Sequence, residues 1–384
     1  MKQCHVCGST KLLETKQPDK LRGVTSDCKP WKDSPKIFLC QSCGNAISIT
    51  SEEWFHNINY IYDNYEIYKQ GSFKDHNLFE NENAINRSSK LIEGMRESNL
   101  LDCKGNLLEI GPGEGNFLKE FAYVFPNWDL FANDFNENAK DRISSEIKIK
   151  KFFSGNISNI STKFDLVILV HSLEHIPDPI NFLDKVKSLL KPSGKLLVNV
   201  PNCLDNPFVL TVVDHCSHFT PNTLYRLVEK AQFEIKFMST TLITKELVLL
   251  AENNPSRHDS KKQLPPVESI DTFNNHFDWL GLTLKQLKSL ASRHYFGCLG
   301  TTIAGTWVYS QLENGLDFFA DEDPGRQGKS HLNLPILSPN QIPSGSKLFL
   351  AFPYKFAENI ATKFKGFNFD VILPPKNIRQ SGFQ

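Results

Sequence analysis

The chain has 384 residues, with 43 basic and 43 acidic side chains and a formal net charge of zero. That balance argues against a protein that coats nucleic acid or binds an anionic membrane, where a basic excess is expected. Apolar residues make up 40% and charged residues 22%, the composition of an ordinary globular protein long enough for two or three domains. No stretch approaches eighteen uninterrupted apolar residues, and the N-terminus lacks the charged-then-apolar layout of a secretory signal. The expectation is a cytoplasmic protein that neither spans a membrane nor binds nucleic acid.

Residues 1–50 read as short strands and turns around Cys4-x2-Cys7 and Cys40-x2-Cys43, each pair followed by a glycine, Gly8 and Gly44. Two thiolates three positions apart on a tight turn can grip one metal, and two such knuckles complete a tetrahedral S4 site, the usual arrangement for structural zinc. A redox CxxC opens a helix after a strand, and neither pair is so placed. With four ligands the ion has no open position, so its expected role is structural. The long gap between the pairs requires a loop that bulges between the knuckles. Cys28, Cys103, Cys203, Cys216 and Cys298 have no partner spacing and read as small apolar residues.

Residues 51–100 are rich in Tyr and Asn and read as a mostly helical connector, with a helix over 81–98. Residues 101–252 alternate strand and helix. Strands are expected at 106–110, 128–133, 164–170, 195–200, 233–239 and 246–251, and helices at 116–124, 179–189 and 221–231. Such alternation predicts an α/β domain with a mostly parallel sheet covered on both faces. Residues 253–266 read as a polar linker and 269–294 as a helix, so that 253–294 joins two units. Residues 295–384 then read as a smaller Rossmann-like α/β unit with strands at 295–300, 316–320, 347–352 and 369–373, a helix up to 312, and a loose tail from 374.

The central region opens on Leu108-Glu109-Ile110-Gly111-Pro112-Gly113-Glu114-Gly115, an apolar strand running into three alternate glycines and then a helix. Glycines let a backbone approach a ligand closely, and the following helix start offers free N–H groups. The spacing is not Gly-x-Gly-x-x-Gly, and the Lys-Ser/Thr of a phosphate-binding loop is absent. Glu109 would repel a pyrophosphate and suits a cofactor that carries positive charge.

This stretch resembles the first motif of class I S-adenosylmethionine-dependent methyltransferases. The segments 164–179 and 190–198 resemble the fourth-strand region and the turn into the fifth strand of the same enzymes. The resemblance implies a Rossmann-like methyltransferase sheet with Glu109, Gly111, Gly113, Gly115, Asp134, Asn156 and His171 at the cofactor. Asp134 stands where the family bonds the ribose hydroxyls. Asn156 stands where many members contact the adenine amino group, a bond its side-chain carbonyl can accept.

Methyl transfer from a sulfonium needs alignment of donor and acceptor and often a base that removes the acceptor's proton. Asp214, His215 and His218 fall after the fifth strand, where open α/β sheets bind ligands. They precede a helix begun by Thr220 as N-cap and Pro221 at the first helical position, and they are the candidate catalytic residues, with His215 as base. His175 is read as structural. The whole layout resembles the sugar C-methyltransferases, which methylate nucleotide-linked 4-keto sugars through an enolate. Val212 stands where that family has tyrosine, and His218 where it has an aromatic residue. The expected acceptor is a saccharide or nucleotide-sugar, methylated at carbon or oxygen. The alternatives are O- or N-methylation of another small metabolite, or a non-catalytic scaffold that keeps the cofactor fold.

Overall fold

The computed structural model describes residues 3–65, 77–80, 83–99, 101–135, 137–254, 267–291 and 294–376. Most of the expected 253–266 linker, the first residues of the expected 81–98 helix and the end of the tail lie outside them.

Five short strands come first: β1 (Leu12–Glu14), β2 (Gly23–Val24), β3 (Pro30–Trp31), β4 (Ile37–Cys40) and β5 (Ala46–Ser48). β1, β4 and β5 pair antiparallel. β2 and β3 form a separate ribbon within the long segment between the two cysteine pairs. The helix α1 (Glu52–Asp63) follows, inside the expected mostly helical connector of 51–100 and ahead of the one helix delimited there. The Ser51 side chain accepts from Trp54 N, Glu52 and Glu53 suit the positive end of the helix dipole, and Trp54, Ile58 and Ile61 bury one face. A hairpin of β6 (Asn77–Glu80) and β7 (Asn83–Asn86) leads into α2 (Arg87–Glu97). The expected helix thus starts later, where Asn86 caps it by accepting from Ser89 N.

The central unit runs β8 (Asn106–Ile110), α3 (Asn116–Val124), β9 (Asp129–Asp134), α4 (Asn138–Glu146), β10 (Lys151–Ser154), β11 (Phe164–Val170), α5 (Pro179–Leu189), β12 (Leu190–Pro201), β13 (Ser217–His218), α6 (Pro221–Lys230), β14 (Glu234–Ser239) and β15 (Glu246–Glu252). Seven of these strands form one sheet in the order β10-β9-β8-β11-β12-β15-β14. Neighbours from β10 to β12 are parallel, and β15 runs against both β12 and β14. Period-two alternation fills both faces. Leu108, Ile110, Val167 and Val198 pack with Leu183, Val186, Leu224 and Leu227 of α5 and α6. Leu107, Leu166, Ile168 and Leu197 pack with Phe117 and Phe121 of α3, and with Leu91 of α2.

The C-terminal unit contains α7 (Ile270–Ala291), β16 (Phe296–Leu299), α8 (Ile303–Leu312), β17 (Phe318–Ala320), β18 (Ser330–His331), β19 (Leu334–Leu337), β20 (Lys347–Leu350), α9 (Tyr354–Ala361) and β21 (Asp370–Ile372). Its sheet order is β18-β19-β17-β16-β20-β21, parallel except for the β18–β19 pair. This is the expected smaller Rossmann-like unit.

The three regions interlock. β13, in the central chain, pairs antiparallel with β5 and completes the sheet β1-β4-β5-β13 of the cysteine region. The β2–β3 ribbon packs on the C-terminal unit: Leu21 and Val24 share a core with Phe208, Phe273, Phe277 and Trp307. Gln311 exchanges two hydrogen bonds with the Arg22 backbone. No described helix is long and apolar enough to cross a membrane.

Candidate active site

The sheet order reverses between β8 and β11, and open α/β sheets take ligands in that crevice, beyond the carboxyl ends of the strands. The glycine loop leaves β8 there. Gly111, Gly113 and Gly115 all have positive φ, at +72°, +55° and +76°, so each needs the freedom of glycine. Their surroundings differ. A Cβ at Gly111 would lie 2.7 Å from Ser172 Oγ, and one at Gly115 3.1 Å from Ile147 Cδ1. A Cβ at Gly113 would meet no heavy atom of the described residues within 4 Å beyond its chain neighbours. Two of the glycines therefore permit packing, while Gly113 presents open backbone, the arrangement a ligand cradle requires.

The rest of the expected cofactor set lies on neighbouring strands of the sheet and the turns that follow them. Glu109 is 2% exposed, in register with Ala132 of β9 and Ile168 of β11. Asp134 ends β9, and its carbonyl accepts from Gly155 N. Asn133, which sequence reasoning did not single out, ties the two turns together by donating to the carbonyls of Phe153 and Gly155, both at 3.0 Å. The side-chain oxygen of Asn156 also caps a short 3-10 turn by accepting from Ser158 N at 2.9 Å. The oxygen keeps a second lone pair, so the cap and the expected acceptor role are compatible.

His171 follows β11 at φ +49°. Its Nδ1 lies 3.3 Å from Glu174 Oε1 and its Nε2 3.2 Å from Glu246 Oε1, which also pairs with Arg87 Nε at 3.3 Å. Burial alone would depress the ring's pKa, but the two carboxylates outweigh it and Arg87 and lift it to about 9. His171 is thus an imidazolium at neutral pH. Glu246 and Arg87 carried no sequence signal, because their role arises only when β15 returns beside β12.

The next turn, Leu173–His175, is tied to the glycine loop through Ser172 Oγ, which donates to Ile110 O at 2.9 Å. His175 Nδ1 donates to Asp214 O at 3.0 Å and lies 3.5 Å from the Asp214 carboxylate. The His175 and His215 rings meet edge to face at 4.8 Å. Asp214 is fully buried, and its two oxygens accept from the Ser26 backbone N–H and hydroxyl. Ser26 sits on the bulge between the cysteine knuckles, so that loop delivers a partner from 188 residues away. Burial raises the Asp214 pKa and pushes that of His215 well below the usual histidine range. His215 is therefore a neutral ring.

The expected trio is not a relay. Asp214 faces Ser26 and His175, and among the described residues its carboxylate makes no hydrogen bond to the His215 ring. His218 belongs to β13, is 2% exposed and contacts Ser48 Oγ through Nε2 at 3.3 Å. Burial pushes its pKa down to about 3, and its surroundings are those of a sheet histidine. His175, read as structural from sequence, is the ring that Asp214 orients. Thr220 and Pro221 begin α6 as expected, with a Thr220–Thr223 capping box.

Cys4, Cys7, Cys40 and Cys43 converge on one another. The Cys4–Cys43 sulfurs are 3.5 Å apart and the Cys7–Cys40 sulfurs 3.4 Å, with all four ligand atoms within 4.8 Å of one another. Zn–S bonds of about 2.3 Å put tetrahedral sulfurs about 3.8 Å apart, so the quartet fits such an ion. Gly8 and Gly44, at φ +76° and +75°, close the two knuckles, donating to Cys4 O and Cys40 O.

Residues 80–236 match the family model described as a methyltransferase domain. Among curated proteins, the ubiquinone biosynthesis O-methyltransferase of Histophilus somni is 29% identical over 68 residues, covering 18% of this chain and 29% of that protein. The enzyme of the same name from Haemophilus ducreyi is 39% identical over 51 residues, covering 13% and 22%. The chain spans under a third of the length of these relatives. A solved S-adenosylmethionine-dependent methyltransferase from Clostridium acetobutylicum aligns with 53% of this chain and 98% of its own, at 14% identity and a TM-score of 0.36.

Proposed function

We propose that the chain is an S-adenosylmethionine-dependent methyltransferase of a small-molecule acceptor. The observation that carries this reading is Gly113, held at positive φ over empty space at the point where the central sheet reverses its order. Glu109, Gly111, Gly113, Gly115, Asp134, Asn156 and His171 would hold the cofactor, Asn156 through the second lone pair of its side-chain oxygen. When bound, the cofactor supplies a methyl group already activated on a sulfonium.

What remains for the protein is alignment and proton handling. His175 and His215 are the side chains for the second task. The carbonyl of Asp214 can only accept, so His175 carries its proton on Nδ1 and keeps a lone pair on Nε2. Neutral His215 likewise has a lone pair to offer. Asp214 is assigned a positioning role through His175, and His218 a role in the sheet that joins the cysteine region to the site. Zinc in the cysteine quartet would fix that sheet, and with it Ser26.

The acceptor class that fits the layout is a saccharide or nucleotide-sugar, methylated at carbon or oxygen; the C-terminal unit would close over it. The relatives' printed O-methyltransferase activity favours oxygen as the second reading. Methyl-labelled S-adenosylmethionine incubated with a panel of nucleotide-sugars separates them by mass spectrometry. A 4-keto substrate in deuterated water should exchange the proton beside its ketone if carbon is methylated. A methyl ether without exchange assigns oxygen, and no labelled product from any saccharide sinks the acceptor class.

A further inference from the structure

A second set of ligating side chains lies beside the glycine loop, distinct from the cysteine quartet. Glu174, His175 and His215 each offer a ligand atom, all within 4.8 Å of one another. We propose that these three residues form a site for a single divalent transition-metal ion, held by two imidazoles and one carboxylate.

Three features point to a ligand rather than to packing alone. Glu174 is 1% exposed; its Oε1 lies 3.3 Å from His171 Nδ1, while its Oε2 is buried with no hydrogen-bond donor among the described residues. The His171 pair occupies one oxygen only, and the second, buried and unpaired, is costly unless another partner completes it. His175 donates Nδ1–H to a backbone carbonyl, the outer bond that metal-binding histidines use to fix the tautomer and aim the other nitrogen at the ion. The His215 ring nitrogens make no hydrogen bond among the described residues, while the ring is held edge to face on His175. Tetrahedral bonds near 2.1 Å bring ligand atoms to about 3.4 Å from one another, so the three side chains draw inward on an ion. Two nitrogens and a carboxylate oxygen suit Mn2+, Fe2+, Co2+ or Zn2+ rather than a soft, thiolate-seeking ion.

Three protein ligands leave coordination positions for an acceptor oxygen. An ion there would lower the pKa of a bound hydroxyl and take over the part given above to the imidazoles; that role rests on the methyl-transfer reading, whereas the site itself does not. The test is titration of the zinc-loaded full-length chain with Mn2+, followed by the loss of the free-ion EPR signal, with zinc counted in the same samples. Mn2+ binds oxygen and nitrogen in preference to the quartet's thiolates. The expected result is one Mn2+ per chain, weakened by more than about tenfold in Glu174→Gln and in His215→Ala at unchanged zinc content. Pulsed EPR of the wild-type complex needs no variant and should show coupling to imidazole nitrogen. No bound Mn2+ in the wild type, no nitrogen coupling, or equal affinity in folded variants would overturn the site. S-adenosylmethionine titrated into the same samples reports separately on the cofactor reading.

Discussion

The three glycines of the loop should respond differently to one added methyl group. Gly113→Ala places a Cβ where no heavy atom of the described residues lies within 4 Å beyond its chain neighbours, so its cost to the free protein is that of a left-handed backbone at φ +55°, about 1–2 kcal/mol. In a chain of this size that lowers Tm by a few degrees. With cofactor bound, the methyl occupies the ligand's space. Overpacking of that kind costs about 1–3 kcal/mol, or roughly 5- to 150-fold in Kd. Gly115→Ala meets Ile147 and Ile143 at 3.1 and 3.2 Å instead, and should lower Tm more than Gly113→Ala does. Calorimetric titration of S-adenosylmethionine and thermal melts of both variants read the two effects independently. A Gly113→Ala protein that binds with wild-type affinity would refute the assignment of that glycine to the cofactor.

Other outcomes follow from the ion pairs and buried rings. His171 gains its proton on folding, with its pKa lifted to about 9. Its contribution is therefore complete below about pH 6.5 and is lost as pH rises toward 9, of order 2–3 kcal/mol for a side chain that is 29% exposed. Urea melts of His171→Gln against wild type should converge at alkaline pH; a constant gap would contradict the pairing. His331 has the opposite sign: burial lowers its pKa to about 4, so the stability it gives is present above about pH 6.5 and falls as pH drops toward 4. Replacing it with Gln should flatten the acid limb of the stability curve by up to about 1.4 kcal/mol per pH unit, and an unchanged limb would count against it. Cys43→Ser should lose zinc and raise amide exchange at Ser217 and His218, because β13 is part of the cysteine sheet. Exchange confined to residues before Ser51 would mean that the region folds independently.

The features legible in the sequence were those written in local spacing. The two CxxC-Gly knuckles, the glycine loop, the apolar strands 106–110 and 164–170, and the Thr220-Pro221 helix start all have short-range chemistry that dictates their structure. α1 was legible and passed over: Ser51-Glu52-Glu53 is a helix-start pattern, and Trp54, Ile58 and Ile61 share a face. β10 gave no comparable signal, since its four residues are all exposed or half-buried. β13 is two residues long and exists only because β5 offers it an edge. The candidate site was half legible. His171, Asp214 and His215 sit where strand ends were expected, but the partners that set their chemistry come from afar: Ser26 from the knuckle loop, Arg87 from α2 and Glu246 from β15. The adjacency of Asp214 and His215 in the chain suggested a pair, whereas the fold turns the carboxylate toward Ser26 and His175.

On the proposed reading, the glycine loop holds a sulfonium cofactor rather than a nucleotide phosphate. Its most direct test is a calorimetric titration of S-adenosylmethionine into the zinc-loaded full-length chain, repeated with Asp134→Ala and in the presence of NADH. The account predicts one site per chain, loss of the binding heat in Asp134→Ala at unchanged zinc content, and no displacement by NADH. Absence of heat with S-adenosylmethionine, or its displacement by NADH, would contradict it.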